Sequence, residues 1–113
     1  MKKINEYIKL VHNPSEDFNT FLNDYFIGNF MIRARGEEDK SVWSRLKGNE
    51  LEVAKQMLLD NLGHDCAYMD AISIFKDERG IPLLKKCVET LDDKYCYERL
   101  KAAKILYDWI GYS

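Results

Sequence analysis

Residues 77–93 read DERGIPLLKKCVETLDD. A proline stands inside an apolar run: Ile81, Leu84, Val88 and Leu91 recur at i, i+3, i+7 and i+10, the period of a helix with one buried face. Deep inside such a helix a proline removes a hydrogen bond and clashes with the preceding turn. Pro82 falls instead in the first turn, where backbone N–H groups have no intrahelical partner anyway. Asp77-Glu78-Arg79-Gly80 is therefore a turn between two helices, and Pro82 opens the second.

The same period extends in both directions. Upstream, Asp65 is suited to cap a helix with Tyr68, Ala71, Ile72 and Phe75 facing inward. Before it, Asn49 and Glu52 fit a capping arrangement ahead of Leu51, Ala54, Leu58 and Leu62, and Gly63 suits a left-handed stop. Downstream, a last helix is expected from about Tyr95 to Ile110, with Leu100, Ala103, Leu106, Tyr107 and Ile110 inward. In the N-terminal part, Ile4, Ile8 and Val11 mark a short helix ended by Asn13-Pro14. Ser15 then caps a helix with Glu16 and Asp17 in its first turn and Phe18, Phe21, Leu22, Tyr25 and Phe26 on its apolar face. Gly28-Asn29 breaks it. Phe30, Met31 and Ile32 call for burial, Arg33 to Lys40 read as a charged loop, and Val42, Trp43 and Leu46 mark a short helix. Strand signals are poor and the chain reads as all-α.

The order helix, Asp-x-Arg-x-Ile-Pro, helix, acidic turn, Arg-x-x-Ala-Ala helix resembles a HEAT repeat, in particular the bacterial HEAT-like type of phycobilin lyases. It is carried by Ala71, Ile72, Phe75, Asp77, Arg79, Ile81, Pro82, Leu84, Leu91, Asp92, Asp93, Arg99, Ala102, Ala103 and Leu106. Sliding Ala71 over Ile105 also lays Ile72 over Leu106 and Phe75 over Trp109. Lys76 departs from the pattern, since the family usually has glycine there, and Tyr95 and Cys96 replace its common valine. The resemblance covers residues 49–111 at most and implies a short right-handed α-solenoid of antiparallel helix pairs. Residues 1–47 then act as a helical cap on residues 48–113, within a single domain of 1–113. The resemblance also implies that Arg79 and Arg99 pair with acids of neighbouring turns, Asp77, Asp92 or Asp93.

Composition sets the outer limits. The chain has 113 residues, 46% apolar and 32% charged, with net charge −2, values that suit one globular domain. The N-terminal stretch has no apolar core of signal-peptide length, and no run is long enough to span a bilayer. Three cysteines, Cys66, Cys87 and Cys96, sit at no metal-like spacing and read as reduced thiols. A cytoplasmic, membrane-free protein is expected.

The chemistry-bearing residues do not assemble into a site. His64, Asp65 and Cys66 are adjacent and lack a fourth ligand group, so no metal is expected. No base–nucleophile set is visible, and no glycine-rich phosphate loop, so neither a catalytic set nor a cofactor is expected. Glu37-Glu38-Asp39 and Asp92-Asp93 read as solvating turn acids. Arg33, Arg35, Lys40, Arg45 and Lys47 crowd around Trp43, but the acidic run interrupts them, which disfavours nucleic acid. What remains is surface for a protein partner. Expected contact residues are Asp77, Arg79, Asp92, Asp93, Tyr95 and Tyr97, with Trp43 and Arg45 as a second patch. The concrete expectation is an inhibitor or immunity protein against a basic toxin or nuclease. The alternative is an adaptor or assembly factor and, after it, a HEAT-like lyase or nucleic-acid binder. The C-terminal Trp109-Ile110-Gly111-Tyr112 offers a surface for pairing with a second copy.

Overall fold

The computed structural model describes residues 4–29, 31–63, 65–90 and 96–111. Phe30, His64, Leu91, Asp92, Asp93, Tyr95 and Tyr112, all singled out by the sequence, lie outside them. Among the described residues every regular element is helical: α1 Ile4–Ile8, α2 Glu16–Leu22, a π-helical turn Asn23–Ile27, α3 Met31–Ala34, α4 Val42–Arg45, α5 Gly48–Asp60, α6 Cys66–Phe75, α7 Gly80–Thr90 and α8 Cys96–Ile110. None is long and apolar enough to cross a membrane. The chain divides into two compact units, Met1–Asn61 and Leu62–Ser113. Helix α5, grouped by the sequence with the second half, belongs by its packing to the first unit, where it meets α1 and α2.

In the N-terminal unit the core is aromatic. Ser15 caps α2 by accepting the Phe18 N–H at 3.1 Å, which starts the helix where its first apolar residue can turn inward. Phe18, Phe21, Tyr25 and Trp43 are all buried. Phe21 sits at their centre, with ring centroids 5.7, 5.5 and 5.3 Å from Phe18, Tyr25 and Trp43 respectively. These separations fall in the range of tilted and edge-on aromatic pairs. The segment ends at Gly28, whose N–H closes on Asn23 O at 2.8 Å. A β-carbon at Gly28 would stand 2.5 Å from that same carbonyl oxygen, so only glycine closes the turn.

Helix α5 does not start as the sequence suggests. Its N-cap is Lys47, which makes no side-chain cap. Asn49 instead donates from Nδ2 to Leu10 O at 2.8 Å. The neighbouring Glu50 carboxylate accepts from Ser15 N at 2.7 Å and Ser15 Oγ at 2.6 Å. Asn49, which reads as part of a local cap with Glu52, serves with Glu50 to fasten α5 to the loops around α1 and α2. Tyr7, overlooked by the apolar spacing of α1, is 1% exposed and donates from its hydroxyl to Asp60 Oδ2 at 2.6 Å. Burial, then this hydrogen bond to a carboxylate, pushes its phenol up to about 12. Glu38 is also buried, and among the described residues its Oε2 accepts no hydrogen bond.

In the C-terminal unit α8 packs on α7 and α6. Asp65 caps α6 through the Ala67 N–H at 2.9 Å. The α6–α7 turn is tied by Asp77, whose Oδ1 accepts from Arg79 N and Nε, both at 2.9 Å, and whose Oδ2 meets Arg79 Nη2 at 2.7 Å. Pro82 lies in the first turn of α7. Inward-facing residues include Ala67, Tyr68, Met69, Ala71, Ile72, Leu84 and Cys87.

Candidate functional site

The register of α8 differs from the expected one. Its buried residues are Ala102, Ile105 and Leu106. Leu100, Tyr107 and Ile110, expected inside, are exposed, at 69%, 63% and 44%. Two apolar series run along this helix at helical spacing, and contact with α6 and α7 selects the one carrying alanine and the shorter side chains. At 3.6 residues per turn, Tyr97, Leu100, Lys104 and Tyr107 fall within about 80° of arc, on the side away from Ala102, Ile105 and Leu106. Tyr97 is 66% exposed. The outcome is an outward stripe of two tyrosines and a leucine around one lysine, flanked by Ile110.

Charge beside the stripe is ordered. Lys101 Nζ meets Asp70 Oδ1 of α6 at 2.9 Å. Burial pulls the Lys101 ammonium down, but the hydrogen bond and charge of Asp70 outweigh it and hold the group above its ordinary value. Lys104 reaches Asp108 one turn on, at 3.3 Å, with both side chains largely solvated; such a pair is weak and easily exchanged.

Of the residues expected at an interface, Tyr97 is available on the stripe. Asp77 and Arg79 form the ion pair of the α6–α7 turn described above. Trp43 is a correction: it is 5% exposed, its indole N–H donates to Tyr25 Oη at 3.2 Å, and it packs on Phe21 and Tyr25. A four-residue helix shows no periodicity from which that burial can be read. Arg45 is exposed but engaged, with Nε 2.8 Å from Asp17 Oδ1 and Nη2 2.7 Å from Asp39 Oδ2. The bonds to Asp17, then Asp39, hold its guanidinium far above the ordinary range. Hydrogen bonds from Ser41, then Arg45, hold the Asp39 carboxyl below its own. Asp92, Asp93 and Tyr95 fall outside the described residues. Leu100 and Tyr107 were missed as surface because an apolar residue at helical spacing reads as core.

Among the described residues no group of three or more His, Cys, Asp and Glu side chains is placed to hold a metal ion. The stripe has the means to bury apolar area against another surface and to pair Lys104. Comparison with protein families, with curated proteins and with solved structures finds no match to this chain.

Proposed function

We propose that this chain is a non-enzymatic protein-binding module whose partner docks on the outward stripe of α8. The observation that carries this reading is the exposure of Tyr97, Leu100 and Tyr107 on one arc of one helix. Large apolar side chains gathered on a solvent-facing surface mark interaction sites. Tyrosine is among the residues that dominate binding energy when desolvated. A two-fold pairing centred on the stripe would set Lys104 against its own copy, which favours a different protein over a homodimer.

The architecture belongs to the same proposal. We read α7 and α8 as a HEAT-like antiparallel pair in a short right-handed solenoid. Pro82 in the first turn of α7 and the Asp77–Arg79 pair support it. In its most concrete form the module is a cytoplasmic inhibitor, an immunity protein covering a basic toxin or nuclease. The acidic balance of residues 48–113, 12 Asp and Glu against 9 Lys and Arg, supports a basic partner. The second reading, an adaptor in a larger assembly, is favoured by Lys104 within the stripe, whose complement is an acidic side chain.

The test compares wild type with the double variant Leu100→Ser/Tyr107→Ser as bait for proteins of the source organism, at two salt concentrations. A stoichiometric partner is expected for wild type. Its affinity for the variant should fall by roughly 30-fold or more, the effect of losing a hot spot worth about 2 kcal/mol. The melting temperature should stay within a few degrees, since neither side chain is buried. A single partner lost at high salt and inhibited in its own activity supports the inhibitor; several members of one assembly support the adaptor. A partner held equally by the variant rejects the stripe, and nucleic acid alone rejects the module.

A further inference from the structure

A pocket of about 240 Å³ opens between α6 and α8, lined among others by Asp70, Lys76, Lys101, Lys104, Asp108 and Trp109. This is below the roughly 300–1,000 Å³ of sites for drug-sized ligands, so its occupant is small. Lys76, at the end of α6, stands at φ 49°, ψ 47°. That is the left-handed region, which a side chain other than glycine, asparagine or aspartate enters at a cost of about 1–2 kcal/mol. Glycine would close the same turn without that cost. Backbone held in such a state is found preferentially where it serves a function. Among the described residues the Lys76 ammonium makes no hydrogen bond or ion pair.

The charges of the lining do not cancel. Lys101 is bound to Asp70, and Lys104 only loosely to Asp108. Three lysines against two aspartates leave 3 − 2 = +1, and the surplus is Lys76. Trp109 and Ile105 supply apolar wall.

We propose that this pocket binds a small aromatic oxyanion, a carboxylate or phosphate ester carried on a flat ring. Lys76 and Lys104 meet the oxyanion, Lys104 exchanging Asp108 for it, while the ring lies among Trp109 and Ile105. Lys101 stays with Asp70. The site does not depend on the stripe of α8 being an interface, and the variant that tests it leaves Tyr97, Leu100 and Tyr107 intact.

The indole N–H resonances of the protein report on binding, with the buried Trp43 as internal reference. Titration with phenyl phosphate or benzoate should shift the Trp109 resonance saturably and leave that of Trp43 in place. Neutral benzyl alcohol should do neither. Whichever anion binds more tightly identifies the oxyanion. Lys76→Gly should weaken binding at least tenfold while raising the melting temperature, a combination that a merely structural lysine would not produce. No saturable shift with either anion, an equal response to benzyl alcohol, or unchanged affinity in Lys76→Gly overturns the proposal.

Discussion

Trp43→Ala should cost the N-terminal unit about 3–5 kcal/mol, the range for removing a large aromatic side chain from a packed core. The whole stability of a domain is about 5–15 kcal/mol. The ring is 5% exposed and touches both Phe21 and Tyr25. Its loss opens a cavity among side chains that themselves have nowhere to collapse, because Phe21 is already held between Phe18, Tyr25 and Phe26. It also leaves the Tyr25 hydroxyl without the indole donor. Trp43→Phe keeps most of the volume and should cost markedly less. Denaturant midpoints followed by circular dichroism give the comparison. A midpoint for Trp43→Ala within a few tenths of wild type would show that the ring is not core.

A second large effect is expected at alkaline pH. The phenols of Tyr7 and Tyr25 are both pushed up to about 12, in each case chiefly by burial. In the unfolded chain they titrate near 10. Below pH 10 both states hold the proton and the folded state keeps its full advantage. Between pH 10 and 12 the unfolded chain loses protons that the folded chain retains, so stability falls as pH rises through this window. At about 1.4 kcal/mol per pH unit per group, each tyrosine removes up to about 3 kcal/mol. Urea midpoints measured from pH 9 to 12 should therefore drop steeply, and Tyr25→Phe should flatten the slope by about half. Tyrosinate absorbance rising near pH 10 for every tyrosine of the folded protein would contradict the assignment.

Helix starts were legible in the sequence because their chemistry is local. Ser15, Asp65 and Pro82 each act within three residues of their own position. The all-helical class follows from the same kind of signal, a period repeated over several turns. Helix faces were less legible. In α8, Leu100 and Tyr107 satisfy a helical stripe as well as Ala102 and Ile105 do. The choice is made by packing against α6 and α7, which the spacing within α8 does not encode. Distance along the chain hides the use of Asn49 and Glu50, whose partners Leu10 and Ser15 are 39 and 35 residues away. Lys76 was visible as an anomaly, a lysine where the resembled repeat has glycine. Its left-handed backbone and its place on a pocket are tertiary facts that spacing does not encode.

The cysteines offer a practical handle. Burial pushes the thiols of Cys66 and Cys87 up, and Cys87 donates to the Gly63 carbonyl oxygen at 3.2 Å. The reactive form is the thiolate, so both should label slowly. Cys96 is exposed at the start of α8, next to Tyr97. One equivalent of a maleimide dye should therefore mark Cys96 first, as peptide mapping would show. The unaltered sequence thus carries its own attachment point for a reporter at the edge of the stripe, and a partner seated there becomes visible as a change in fluorescence.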